Sequence, residues 1–116
     1  MSNHDLRVTL RQMLDHAKET ADMAAGRTRA DLDSDRPLNL SLVRLLEVVG
    51  EAASRVSPPD RAKYPEIRWP EIVGLRNRLI HAYDTINFDI LWGIITHDLP
   101  PLIAALERIL AAVGPP

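Results

Sequence analysis

At 116 residues, 46 % of them hydrophobic, the chain is expected to form one domain, residues 1–116, with a real but thin core that dimerisation would help. The absence of cysteine excludes disulfides, zinc–thiolate sites and thiol redox chemistry, and the net charge of −2 argues against a general nucleic-acid coat, so any RNA contact must come from a local patch. No apolar run approaches a membrane span and the amino terminus, Met1-Ser2-Asn3-His4-Asp5, lacks a signal-peptide pattern, so no membrane association and a cytoplasmic location are expected.

The first predicted helix covers residues 3–25, with Ser2 and Asp5 as a partial capping box, Gly26 as its stop and a core stripe of Leu6, Leu10, Met13, Leu14, Ala17, Ala21 and Ala24. Residues 27–36 alternate in charge and place Asp31, Asp33 and Asp35 as the start of a calcium loop would. The sixth position is Arg36 instead of glycine and the twelfth is Leu42 instead of glutamate, so the stretch reads as a solvated loop in which Asp35 caps the next helix. That second helix, residues 37–56, buries Leu38, Leu42, Leu45, Leu46, Val49, Ala53 and Val56. Arg44, Glu47, Glu51 and Arg55 form its polar face, with Glu51 and Arg55 spaced for a surface pair.

A connector containing Pro58, Pro59 and Pro65 ends this helix, and a third is expected over residues 70–83, beginning at Pro70. Asn87 and Asp89 open a fourth, whose stripe is Trp92, Ile95, Leu99, Leu102, Leu106, Ile109 and Val113. Pro100 and Pro101 remove two backbone donors and predict a kink near Thr96 and His97. Four amphipathic helices with short connections, one short extra helix being allowed, give an all-α, up-and-down four-helix bundle.

The third segment carries the chemistry. Projected at about 100° per residue, Ile72, Leu75, Leu79, Tyr83 and Ile86 form an apolar arc that takes in Arg76. A guanidinium there needs a fixed anionic partner, for which Glu51 is a candidate, or a cleft for an anionic ligand. The Arg-x4-His spacing of Arg76 and His81 is weak evidence by itself, because it recurs at Arg11 and His16, where the arginine lies off the core stripe. Each residue also has a plain structural role open to it. Arg76 can be a structural ion pair, His81 a helix-end or surface histidine, Asn77 a backbone cap, Arg78 a solvated cation, Tyr83 a core or interface tyrosine, and Trp92 a core residue. A basic patch can draw on Arg61, Lys63, Arg68, Arg76 and Arg78, diluted by Asp60, Glu66 and Glu71. His4, His16 and His97 have no metal-ligand spacing and no HExxH occurs, so neither a metal nor another cofactor is expected.

The run Leu75-Arg76-Asn77-Arg78-Leu79-Ile80-His81-Ala82-Tyr83 is followed by Trp92 and Asp98-Leu99-Pro100, and preceded by Val49-Gly50-Glu51-Ala52-Ala53 and Tyr64-Pro65-Glu66-Ile67-Arg68-Trp69. Together these blocks resemble the HepT-like branch of the HEPN domains. The resemblance implies a helical-bundle toxin of a type II/VII-like toxin–antitoxin pair, acting as a metal-independent endoribonuclease. It places the family's motif arginine on Arg76, its polar residue on Asn77 and its histidine on His81, with Arg78 and Glu51 as supporting or RNA-binding candidates. It implies as partner a small nucleotidyltransferase antitoxin that transfers AMP to the motif tyrosine, here Tyr83, and silences the toxin.

These side chains suit the reaction. RNA supplies its own nucleophile, the 2′-hydroxyl, so cleavage needs a group to take that proton, a histidine such as His81, and a cation to neutralise the phosphorane, such as Arg76. On an ideal helix the two lie about 140° and roughly 7.5 Å apart. They do not converge within one helix, and a homodimer that brings Arg76 to the His81 of a second copy is expected. Two other classes stand beside the nuclease: a non-catalytic HEPN-like module that binds RNA or a nucleotidyltransferase, and a plain structural bundle.

Overall fold

In the computed structural model, which describes residues 2–80 and 85–113, the order is α1 (Asn3–Ala24), α2 (Asp31–Ser34), α3 (Arg36–Ser54), α4 (Pro58–Ala62), α5 (Trp69–Val73), α6 (Leu75–Leu79), α7 (Phe88–Gly93), a π-helical turn (Ile94–Asp98) and α8 (Leu99–Val113). Among the described residues there is no strand, only an isolated antiparallel bridge between Ile80 and Ile86. The architecture is the expected all-α, HEPN-like bundle. α1 packs on α3 and α8, while α5 and α6 lie against α3.

The first two long helices follow their sequence signals closely. Ser2 caps α1 by accepting the Asp5 amide at 3.1 Å, and Gly26 ends it with φ of 75°, a conformation that costs glycine little. Asp35 caps α3 by accepting the Leu38 amide at 3.0 Å. Leu10, Met13, Leu42, Leu46 and Val49 are all fully buried where these helices meet the rest of the core.

Residues 27–36 are more structured than a solvated loop. They fold into the single turn α2, whose Leu32 is completely buried and whose Leu32 carbonyl accepts from the buried Asn39 side chain at 2.8 Å. One apolar residue among charges has no periodicity to reveal it, but its burial pins the turn to α3. Arg29 extends from this region to Asp89 at 2.8 Å and Asp33 at 3.1 Å, with its guanidinium 5.7 Å from the centre of the Phe88 ring. The two carboxylates, above all Asp89 through its hydrogen bond, raise the Arg29 pKa above its usual value.

Where the kink is expected, the fourth helix has a π turn over Ile94–Asp98, just before Pro100 and Pro101, which lack the amide donors of the regular ladder. Before it Leu91 is fully buried and Trp92 only half-buried against the core; beyond it Leu99, Leu102, Leu106 and Ile109 face inward as the stripe predicts. Trp92 therefore flanks the core and does not head the stripe.

Candidate active site

The motif segment is not one helix over residues 70–83. The chain turns at Gly74, where ψ opens to 9° and an added Cβ would stand 3.1 Å from the Pro70 carbonyl oxygen. α6 is then a single turn that stops at Leu79, and Ile80 is extended (φ −105°, ψ 122°) and bridges to Ile86. The Asn87 amide donates to the Leu79 carbonyl at 3.1 Å, and the Asn87 side chain accepts from the Ile90 amide at 3.0 Å to start α7. His81 and Tyr83 lie outside the described residues. The angle expected between Arg76 and His81 assumed a helix that ends at Leu79.

This early end also corrects the setting of Arg76. Ile80 and Ile86 belong to the projected arc only if the helix runs through both. Among the described residues of α5 and α6 the buried side chains are Trp69, Ile72, Leu75 and Leu79, and Arg76 stands on their flank with 64 % of its side chain exposed. The anionic partner that the arginine called for is present, but it is Glu47 of α3, whose Oε2 lies 3.4 Å from Arg76 Nε. Glu47 is only 17 % exposed, so it is not a solvated member of the polar face. Its Oε2 also lies 3.9 Å from Arg44 Nη1, and the same Arg44 atom donates to Glu51 Oε1 at 3.1 Å. Glu51 thus holds Arg44 and neither Arg76 nor Arg55; Arg55 donates instead to Gln12 of α1.

Gly50 explains how α3 and α6 come close enough for this pairing. A Cβ on Gly50 would lie 2.9 Å from the Ile72 carbonyl oxygen and 3.6 Å from Leu75 Cβ, so the α5–α6 turn sits directly on the bare backbone of α3. Beside the contact is a shallow pocket of about 180 Å³ lined by Glu47, Gly50, Glu51, Ser54, Val73 and Arg76.

The other face of α6 is held as well. Arg78 Nη2 donates to Asp98 Oδ2 at 2.9 Å, which ties the motif turn to the end of the π turn, and both side chains are about one-third exposed. Asn77 is exposed and makes no side-chain hydrogen bond among the described residues. The expected basic patch is heavily compensated: Lys63 pairs with Asp60 at 3.0 Å, Arg68 with Glu71 at 3.0 Å and Arg78 with Asp98. Arg61 donates to the carbonyls of Val56, Ala53 and Ser54, so it closes the end of α3. The hydrogen bond from Lys63, aided by Ser57, holds the Asp60 carboxyl below its usual range, and Asp60 in return raises Lys63.

Two residues at the site were missed by the sequence reading as site candidates, Glu47 and Asp98. Glu47 lies 29 positions before Arg76 and Asp98 lies 20 after Arg78, and nothing in local spacing links either pair. The only signal was that Asp98 stands in one of the blocks shared with the HepT-like domains. Among the described residues no three histidine, aspartate or glutamate side chains are grouped to hold a metal ion, and no helix is long and apolar enough to cross a membrane.

The all-α bundle is consistent with a HEPN-like fold. The Ribonuclease HepT-like family model matches residues 13–109, and the chain belongs to that family. A relative from Methanocaldococcus jannaschii, named "Putative RNase", is 31 % identical over 109 residues, covering 94 % of this chain and all of the relative. A second so named from the same organism is 32 % identical over 110 residues, or 95 % of this chain and 91 % of that protein. A "Probable ribonuclease HepT" from Thermococcus cleftensis is 32 % identical over 79 residues, 68 % of this chain and 72 % of that protein. No solved structure gives a significant match.

Proposed function

We propose that the protein is a metal-independent endoribonuclease toxin, with Arg76 and His81 as its catalytic residues. The observation that carries this reading is the setting of Arg76 in a HepT-like chain: a motif arginine anchored by its Nε on Glu47 yet 64 % exposed. An ion pair that open to solvent contributes only about 0–1 kcal/mol to stability, so a purely structural role gives little reason for it. A guanidinium held at the surface is suited to two oxygens of an RNA phosphate.

In the proposed reaction His81 takes the proton of the 2′-hydroxyl, the 2′ oxygen bonds to phosphorus, and the bond to the 5′ oxygen breaks as that oxygen gains a proton. Arg76 neutralises the charge that builds on the phosphoryl oxygens. The products are a 2′,3′-cyclic phosphate and a 5′-hydroxyl end. Two copies of the chain form the site, which doubles the few cations that the compensated surface leaves exposed. Arg78 holds the motif turn through Asp98, the exposed Asn77 is free to contact RNA, and Glu51 acts through Arg44. A small nucleotidyltransferase antitoxin silences the toxin by transferring AMP to Tyr83: the phenolic oxygen bonds to the α-phosphorus of ATP and pyrophosphate leaves.

The test is incubation of unmodified wild-type and His81→Ala protein with total cellular RNA in EDTA, after intact-mass measurement to exclude bound AMP. Cleavage by the wild type alone is expected, with cyclic-phosphate ends. Inactivity of both proteins, or cleavage that EDTA abolishes, overturns the mechanism.

A further inference from the structure

The reactive arginine is carried by a structure that cannot by itself hold it still. α6 is one turn of five residues between the break at Gly74 and the extended Ile80, and a helix that short has little intrinsic stability. The Arg76 side chain adds several rotatable bonds and is mostly in solvent. Glu47 has the opposite character: it stands mid-way along the 19-residue α3, is largely shielded from water, and follows Leu46, which is fully buried. A desolvated carboxylate needs cationic partners, and Glu47 has two, both of them exposed arginines.

We propose that Glu47 is a positioning residue for Arg76, fixing the guanidinium through Nε so that the two η-nitrogens meet the RNA phosphate. The proposal rests on the ribonuclease reading above and adds a residue to it. No described residue hydrogen-bonds the η-nitrogens of Arg76, and the ion-pair contact at 3.4 Å runs through Nε, which leaves the end-on pair Nη1 and Nη2 for a two-pronged phosphate contact. Glu51 is placed one step further away: it holds Arg44, and so keeps the second cation beside Glu47 from drawing that carboxylate off Arg76. Phosphate binding without Glu47 would require Arg76 to be ordered anew in each encounter, a cost that falls on the chemical step more than on RNA binding.

The experiment compares wild type, Glu47→Ala, Glu47→Gln and the remote surface control Asp15→Asn in EDTA, using a short RNA of defined sequence. Unfolding curves establish that each variant is folded. Glu47→Ala should lose roughly tenfold to a hundredfold in kcat with KM within about twofold, as expected when a reacting group is misplaced. Glu47→Gln, which keeps the size of the side chain but not the charge that holds the ion pair, should share most of the loss, and Asp15→Asn should match the wild type. In parallel the Nε–H resonance of Arg76, assigned by its disappearance in Arg76→Lys, should shift and exchange faster with water in Glu47→Ala only.

Unchanged kcat in a folded Glu47→Ala protein, or a resonance that ignores the substitution, overturns the proposal. If the wild type cleaves no RNA, the ribonuclease reading falls separately, and the same resonance is then followed during titration with uncleavable 2′-O-methyl RNA. A shift that Glu47→Ala abolishes upholds the positioning role; no shift in the wild type overturns it.

Discussion

The α1–α3 pair and the stretch from α5 to the π turn are built on different principles. α1 and α3 are long, capped at their starts by Ser2 and Asp35, and bound to each other by fully buried aliphatic side chains. The motif region has three short helical segments and one π turn, joined at Gly74, Ile80 and Gly93, and its α6 is held on two sides by ion pairs to Glu47 and Asp98. The long helices derive their order from the core and can tolerate change on their polar faces. The motif region derives its order from its neighbours, so small changes there should show in chemistry before they show in stability.

Substitutions can separate the two. Leu46→Ala, in the fully buried seam of α3, should cost about 2–5 kcal/mol by urea unfolding while RNA cleavage well below the melting temperature stays near wild type. Arg76→Ala should do the reverse, with kcat falling roughly a hundredfold to a thousandfold and stability changing by less than about 1 kcal/mol. A loss of several kcal/mol in Arg76→Ala would erase the distinction. Gly50→Ala should affect both regions, because its Cβ would press on the Ile72 carbonyl: about 1–3 kcal/mol of stability, together with reduced cleavage as α6 moves off Glu47.

The smallest effect belongs to the Ser57–Asp60–Lys63 cap of α4. Asp60 titrates below its ordinary value of 3.8, so its contribution is present above that pH and is lost as pH falls through the lower folded value. The difference in unfolding midpoint between wild type and Asp60→Asn should therefore be present at neutral pH and vanish in strongly acidic buffer. A difference that persists there would assign the effect to packing instead of charge.

Sequence reading worked where a local signal and a periodic one agreed. Ser2, Gly26 and Asp35 mark helix ends by chemistry that acts within three residues, and the stripes from Leu6 to Ala24 and from Leu38 to Val56 recur often enough to fix a face. It failed where helical spacing continued past the helix itself. Ile80 and Ile86 kept a helical spacing with Ile72 and Leu79, and the bridge that actually pairs Ile80 with Ile86 is a contact that no period reports. The prolines marked the place of the irregularity but not that it is a π turn, and Leu91, four residues before the buried Ile95, is the more deeply buried neighbour of Trp92. For Arg76, the need for an anionic partner pointed to the polar face of the second helix, while the choice of Glu47 over Glu51 depended on the approach that Gly50 permits.

The bridge between Ile80 and Ile86 closes a loop at its base. Its two ends are side by side, held by backbone pairing and by the Asn87 amide on the Leu79 carbonyl. Closing a longer loop across the same ends is inexpensive, about 0.6 kcal/mol for each doubling of length. An insertion placed between His81 and Ile86 therefore leaves the Arg76-x4-His81 spacing of the chain unchanged and should cost the bundle little stability.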